Sequence, residues 1–261
     1  AQAAPDAAQA AGGSIASARM SAAPERSQAI ALLPNNGRPE LLFILLHGAG
    51  ADATQMRPLA QALREQYPAA GVLAINGPQA YDLIPGGGAG FQWYSLAGAN
   101  EDNHPVRVAA AMPHFIATLR AWGAQFELPW QRVALGGFSQ GALMALEAVQ
   151  AEPELAGRVL AFSGAYATPP AHAPQDVSLH LLHGLQDGTL PARDQVDAAK
   201  RLVALGADVT ADVLPDIGHE LHPDLIQRAL QQLQTFVPAR VWREAMQAAR
   251  EQGLSPEPPQ S

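Results

Sequence analysis

The sequence predicts an α/β fold, a mainly parallel β-sheet flanked by helices with no large lid domain. Three observations predict it. Short, unbroken apolar runs recur along the chain, as in strands covered on both faces. Segments with apolar residues at 3.6-residue spacing fall between them. One apolar run passes through Gly137, Ser139 and Gly141 of a Gly-x-Ser-x-Gly motif directly into helical spacing.

Taken in order, residues 28–33 predict an antiparallel edge strand. Residues 41–46, Leu-Leu-Phe-Ile-Leu-Leu, predict the first core strand. Further strands are expected at 72–75, 133–135, 159–162, 179–182 and 209–214. Val108, Met112, Phe115, Ile116 and Leu119 share one helical face, with Pro113 expected to kink that helix. Leu143, Leu146 and Val149 predict a helix after the strand at 133. Val196, Ala199 and Val203 predict another within 191–205, with Gly206 as its stop. Leu225, Ala229, Leu233 and Phe236 describe a last core-facing helix. Strand–helix alternation over about 200 residues reads as a parallel sheet wrapped by helices. No repeat and no linker interrupts 28–250, so one domain is expected there. Residues 1–27, eleven of them alanine, read as a loose tail. Residues 251–261 read as a second tail.

Composition narrows the function. The 261 residues hold 16 Lys and Arg against 24 Asp and Glu, a formal charge of −8. That balance argues against nucleic acid or an anionic membrane as the principal partner, since both reward clustered basic residues. With 48% hydrophobic residues, the chain has enough apolar material for a buried core. There is no cysteine, which excludes a disulfide framework, a thiolate metal site and a cysteine nucleophile. No run of 18 apolar residues is present, so no membrane span is expected. The first 27 residues lack the basic start and apolar segment of an intact signal. A cytoplasmic protein is expected, or a periplasmic or secreted one if the tail follows a cleaved signal. A monomer or homodimer is expected.

The sharpest chemical signal is Ser139. A strand-to-helix turn this tight strains its central residue and crowds its neighbours, and glycines at 137 and 141 remove the side chains that would clash. The turn lifts the serine hydroxyl above the sheet. Gly-x-Ser-x-Gly arises by chance roughly 0.08 times in a chain of this composition, so the motif needs partners. A serine hydroxyl needs a base, and the base needs an acceptor that fixes its tautomer. Both belong on loops after the C-terminal ends of parallel strands. The loop after 179–182 offers Asp187 between Gly184 and Gly188. The loop after 209–214 offers His219 after Gly218. The order Ser139, Asp187, His219 is that of nucleophile, acid and base on an α/β-hydrolase sheet. Asp216 and His222 are rivals for the last two roles. His183 and His47 each precede a glycine at a strand end and are expected to brace loops. His104, His114, His172 and His180 lack a partner pattern and are expected to face solvent or to be satisfied locally. No metal-ligand spacing occurs: His219 and His222 are i and i+3.

His47-Gly48-Ala49-Gly50 turns sharply after the first core strand. A freed N–H there, that of Ala49, pairs with the N–H of Gln140 as a candidate oxyanion hole. The alternative for a glycine-rich turn is a phosphate cradle. Against it, there is no G-x-G-x-x-G and no Walker lysine. The long segment 77–105, with glycines at 86–88 and 90, is expected to form a mobile flap. Trp93 or Tyr94 on it is expected to line an acyl pocket, with core packing as the alternative for Trp93. The connection over 162–177 is too short for a bulky lid.

These residues resemble a known family. The motifs at His47-Gly48-Ala49-Gly50, Gly137-Phe138-Ser139-Gln140-Gly141, His183-Gly184-Leu185-Gln186-Asp187 with Leu190-Pro191, and Gly218-His219 are similar to those of the phospholipase/carboxylesterase family. That family includes acyl-protein thioesterases and small bacterial esterases. Gln92-Trp93-Tyr94-Ser95 followed by Glu101-Asp102-Asn103 resembles a bacterial serine-esterase branch. The eukaryotic thioesterase branch tends to have Asp where this chain has Ser95. The resemblance spans about 28–240. It implies an α/β-hydrolase fold, catalytic Ser139, Asp187 and His219, an oxyanion hole from Ala49 and Gln140, and hydrolysis of small-molecule acyl esters without a cofactor. A thioesterase or lysophospholipase on the same triad is one alternative, and a catalytically inactive binding protein of the same fold is another. A dienelactone hydrolase usually implies a cysteine nucleophile.

Overall fold

The computed structural model describes residues 29–84 and 90–254. Seven strands form the central sheet: β1 (Ala29–Leu32), β2 (Leu41–Leu46), β3 (Ala70–Ile75), β6 (Val133–Phe138), β7 (Arg158–Phe162), β8 (Ser178–Gly184) and β9 (Asp208–Leu214). A two-stranded hairpin of β4 (Gln79–Ala80) and β5 (Phe91–Gln92) stands apart. The sheet order is β1-β3-β2-β6-β7-β8-β9. Only β1 runs antiparallel, along β3 at one edge.

Among the described residues, six α-helices connect or flank these strands: α1 (Arg57–Gln66), α2 (His104–Gln125), α3 (Gln140–Ala151), α4 (Ala192–Ala204), α5 (Pro223–Thr235) and α6 (Ala239–Glu251). Strand side chains alternate between two cores. Leu42, Ile44, Leu135, Val159 and Leu181 pack under α2, α3 and α4. Phe43, Leu45, Ala134, Leu160 and Leu182 pack under α1 and α5. Parallel crossovers are right-handed, so the face a helix covers follows from the direction in which the chain steps across the sheet. From β2 the chain steps one way through α1 to β3. From β3 it returns the other way through α2 to β6, and it keeps that direction through α3 and α4. The reversal leaves β2 and β6 as neighbours, with Leu46 beside Gly137 at their C-terminal ends. Ligands of open α/β sheets bind at such a switch point.

The expected strands are present, most of them longer by one to three residues. The helix across Pro113 is continuous. Pro113 and Ala109, whose carbonyl loses its intrahelical donor, are both exposed, so water can serve that carbonyl. The buried face of α4 differs from the expected one. Ala192, Gln195, Ala199 and Leu202 face the core, whereas Val203 is 64% exposed. The i, i+3, i+4 rule fits both sets, offset by one residue about the shared Ala199. Helices α1 and α6 and the β4–β5 hairpin were not anticipated. α6 buries none of its residues and extends to Glu251, where the C-terminal tail was expected to begin. The N-terminal tail, residues 255–261 and residues 85–89 of the expected flap lie outside the described residues. Fifteen residues join β7 to β8 with no helix among them, so no large lid lies there.

Candidate active site

Ser139 is the single residue between β6 and α3. Its backbone sits at φ 55 and ψ −114, a conformation costing on the order of 1–3 kcal/mol for a non-glycine residue. Neighbouring contacts over-determine it. The Ser139 N–H donates to the Phe162 carbonyl at 2.9 Å, and its carbonyl accepts from Leu143 N–H at 3.0 Å. The flanking glycines are required by close approach. A Cβ on Gly141 would overlap the Leu46 carbonyl of β2, and one on Gly137 would overlap the backbone of Gly141 and Ala142. Helix α3 thus starts directly against β2, and Ser139 stands over the switch point, half-buried.

His219 comes from the loop between β9 and α5, its ring 4.9 Å from that of Phe138 and its side chain 20% exposed. Its Nε2 lies 3.0 Å from Ser139 Oγ, and its Nδ1 lies 2.7 Å from Asp187 Oδ2. The loops carrying Asp187 and His219 are knitted together by the Gln186 N–H, which donates to the Ile217 carbonyl at 2.9 Å. The Asp187 side chain is fully buried. Burial pushes its carboxyl up, but the donors on it prevail and hold it below its ordinary range. Those donors are the N–H groups of Leu190 and Thr189 on Oδ1, at 2.8 and 2.9 Å, and the His219 ring on Oδ2. A carboxylate acceptor on Nδ1 means that Nδ1 carries the imidazole proton, leaving Nε2 free to accept one from the serine.

The rivals face elsewhere. Asp216 is exposed, at φ 60. His222 caps α5, its Nδ1 accepting the Asp224 N–H at 3.0 Å.

The turn after β2 supplies N–H donors. Gly48 N–H is committed to Gln55 Oε1 at 2.7 Å, and Gly50 N–H to the Phe91 carbonyl at 2.8 Å. Among the described residues, the N–H groups of Ala49 and Gln140 have no acceptor. Gly48 packs beside the Ser139 loop, within 3.4 Å of Ser139 Cβ for a Cβ built on it. His47 fixes this turn from beneath. Its Nδ1–H donates to the Gly48 carbonyl at 2.7 Å, and its Nε2 accepts the Gly77 N–H at 2.8 Å. Burial lowers its pKa, which favours the neutral ring these contacts require.

Trp93 and Tyr94 are buried in the core, each 4% exposed. Trp93 packs edge-on against Phe115 of α2. The polar atoms of Trp93 and Tyr94 brace the site. The Trp93 indole N–H donates to the His47 carbonyl at 2.8 Å. Gln140 Oε1 accepts the Trp93 N–H at 2.8 Å, and its Nε2 donates to the Tyr94 carbonyl at 3.0 Å. The sequence singles out Gln140 only for its backbone N–H, and no spacing rule would reveal this side-chain clamp. His183 was expected to brace a loop. It is fully buried, with Nε2 2.7 Å from the Leu190 carbonyl and 3.2 Å from Asp187 Oδ2. Its i, i+4 spacing from Asp187 inside a turn was the available signal. His180, expected at the surface or satisfied locally, is fully buried between Arg158 and Thr210. Among the described residues, no group of three or more His, Asp or Glu side chains is arranged to hold a metal ion.

Known proteins resemble this chain in sequence and fold. Residues 30–237 match the family described as phospholipase/carboxylesterase. Esterase YpfH of Escherichia coli (strain K12) is 38% identical over 209 residues, 80% of this chain and 88% of that protein. The crystal structure of esterase PE8 superposes with a TM-score of 0.72 at 28% identity, covering 81% of this chain and 99% of that one. Acyl-protein thioesterase 2 of Zea mays shares the fold, with a TM-score of 0.63 at 20% identity over 79% of this chain and 97% of that one. The chain belongs to the phospholipase/carboxylesterase family and has the α/β-hydrolase fold.

Proposed function

We propose that this chain, a carboxylic ester hydrolase by family, cleaves small to medium acyl esters through Ser139, His219 and Asp187. His219 Nε2 takes the Ser139 proton as Oγ attacks the ester carbonyl. Asp187 holds the imidazole by Nδ1 and stabilises the charge the ring acquires. The carbonyl oxygen becomes an oxyanion against the N–H groups of Ala49 and Gln140, where losing one donor typically costs ~10²–10³ in rate. The tetrahedral adduct collapses, and His219 returns the proton to the leaving alcohol. Water, deprotonated by the same ring, then releases the acid from Ser139.

The observation that carries this reading is the hydrogen-bond chain of 3.0 and 2.7 Å from Ser139 through His219 to Asp187. It lies beside two N–H groups with no acceptor among the described residues. The short β7–β8 connection supports an open site suited to smaller esters. The test is a panel of purified-enzyme assays with p-nitrophenyl acetate to laurate, an acyl-CoA and a lysophospholipid. Turnover of the shorter esters above the other substrates is expected. Preference for acyl-CoA would make the chain a thioesterase, and preference for lysolipid a lysophospholipase. Inactivity on every member would favour a binding role.

A further inference from the structure

His183 is a buried ionisable side chain beside the relay that the proposed mechanism leaves unused. It ends β8, with its side chain 0% exposed. Its Nε2 faces two acceptors, the Leu190 carbonyl at 2.7 Å and Asp187 Oδ2 at 3.2 Å. A carbonyl oxygen can only accept, so Nε2 carries the proton. Its Nδ1 is buried with no partner among the described residues. The ring therefore presents one N–H, hydrogen-bonded to the Leu190 carbonyl at the end of the acid's own turn, with Asp187 Oδ2 in close contact beside it. Leu190 closes the arrangement, because its N–H donates to Asp187 Oδ1 at 2.8 Å while its carbonyl receives His183.

We infer that His183 is a positioning residue for the acid: its Nε2–H, bonded to the Leu190 carbonyl, fixes the Leu190 N–H on Asp187 Oδ1 and so keeps Oδ2 aimed at His219 Nδ1. Oδ2 is the oxygen that both rings approach. The Leu190 and Thr189 N–H groups hold only Oδ1, which leaves the carboxylate free to swing about that anchor. Holding Leu190 in place fixes that anchor, and the His183 ring packed 3.2 Å from Oδ2 limits the swing. This inference rests on the proposed roles of Ser139, His219 and Asp187.

The experiment compares His183→Phe, His183→Gln and His183→Asn in the full chain. It reads kcat and KM on a short p-nitrophenyl ester, and the low-field proton resonance of the His219 Nδ1–H bound to Asp187. Phe keeps a ring but removes the donor. Gln places an amide N–H near the Nε2 position, whereas Asn places one near Nδ1. His183→Phe is expected to lose roughly ten- to a hundredfold in kcat with KM little changed, and to shift or broaden the resonance. His183→Gln is expected to recover most of both, and His183→Asn to recover neither. If His183→Phe does not fold, the Gln and Asn pair decides the matter by the same two readouts. Wild-type kcat and resonance in folded His183→Phe would overturn the inference, as would equal behaviour of the Gln and Asn variants. Ser139→Ala is measured alongside. Activity retained there would overturn the triad itself, a different result from an indifferent His183.

Discussion

Ser139 and His219 are 80 residues apart in the chain, yet Oγ and Nε2 lie 3.0 Å apart. Strands β7 and β8 separate the two strands that carry them, so the loop after β9 must reach back across the sheet. The Gln186 to Ile217 hydrogen bond and the packing of His219 on Phe138 hold it there. Ser139→Ala should reduce ester turnover to the uncatalysed background. Circular dichroism and the melting temperature should stay near wild type, because the backbone contacts of residue 139 do not use its hydroxyl. Substantial turnover by a folded Ser139→Ala protein would mean that another nucleophile acts.

Asp187→Asn should cost about 10⁴ in kcat, on the scale known for a serine-protease triad, because an amide donor presented to Nδ1 selects the wrong tautomer. Asp216→Asn should leave kcat within a few-fold of wild type, since Asp216 is exposed and away from the ring. A severe loss in the second variant with a mild one in the first would exchange their roles.

How much of this was legible beforehand depends on the kind of interaction. The strands were legible because parallel strands covered on both faces need unbroken apolar runs, as at 41–46. The elbow was legible because Gly137 and Gly141 are forced by backbone approach, a constraint written in residue type. The placement of Asp187 and His219 after strand ends followed from sheet logic. The face of α4 was not legible, because Val196 with Val203 and Gln195 with Leu202 fit the same period, and a buried glutamine defeats a hydrophobicity rule. The roles of Trp93, Gln140 and His183 were hidden for a different reason. Trp93 and Gln140 depend on hydrogen bonds to residues brought near only by the fold, and the His183 contact depends on how its own loop turns back.

Trp93→Phe should separate brace from pocket. It keeps an aromatic ring but leaves the buried His47 carbonyl without its donor, a loss of about 1–3 kcal/mol. A lowered melting temperature is expected, with the ranking of short and long acyl esters unchanged. Trp93→Ala should keep that ranking too. A changed chain-length profile in either variant would return Trp93 to the acyl site.

Acid should destabilise the protein through His180. Burial first, and then the charge of Arg158, bring its pKa down to about 3 from 6.5. Between those values the unfolded chain holds a proton that the folded chain does not. The stability this contributes is complete above about pH 6.5 and is lost as pH falls towards 3, on the order of a few kcal/mol in total. Asp187, held below its ordinary range, adds to the loss at the acidic end. Thermal melts from pH 7 to pH 4 should show a falling melting temperature, with a shallower slope for His180→Gln. Parallel slopes would show that His180 is not the group responsible.

Active-site labelling tests the relay most directly. The wild-type protein is treated with a fluorophosphonate, and the adduct is mapped by peptide mass for wild type and His219→Ala. One phosphonyl group on Ser139 is expected, forming at a rate that collapses in His219→Ala while the protein stays folded. Labelling at another residue, or at the same rate without the imidazole, would contradict the account.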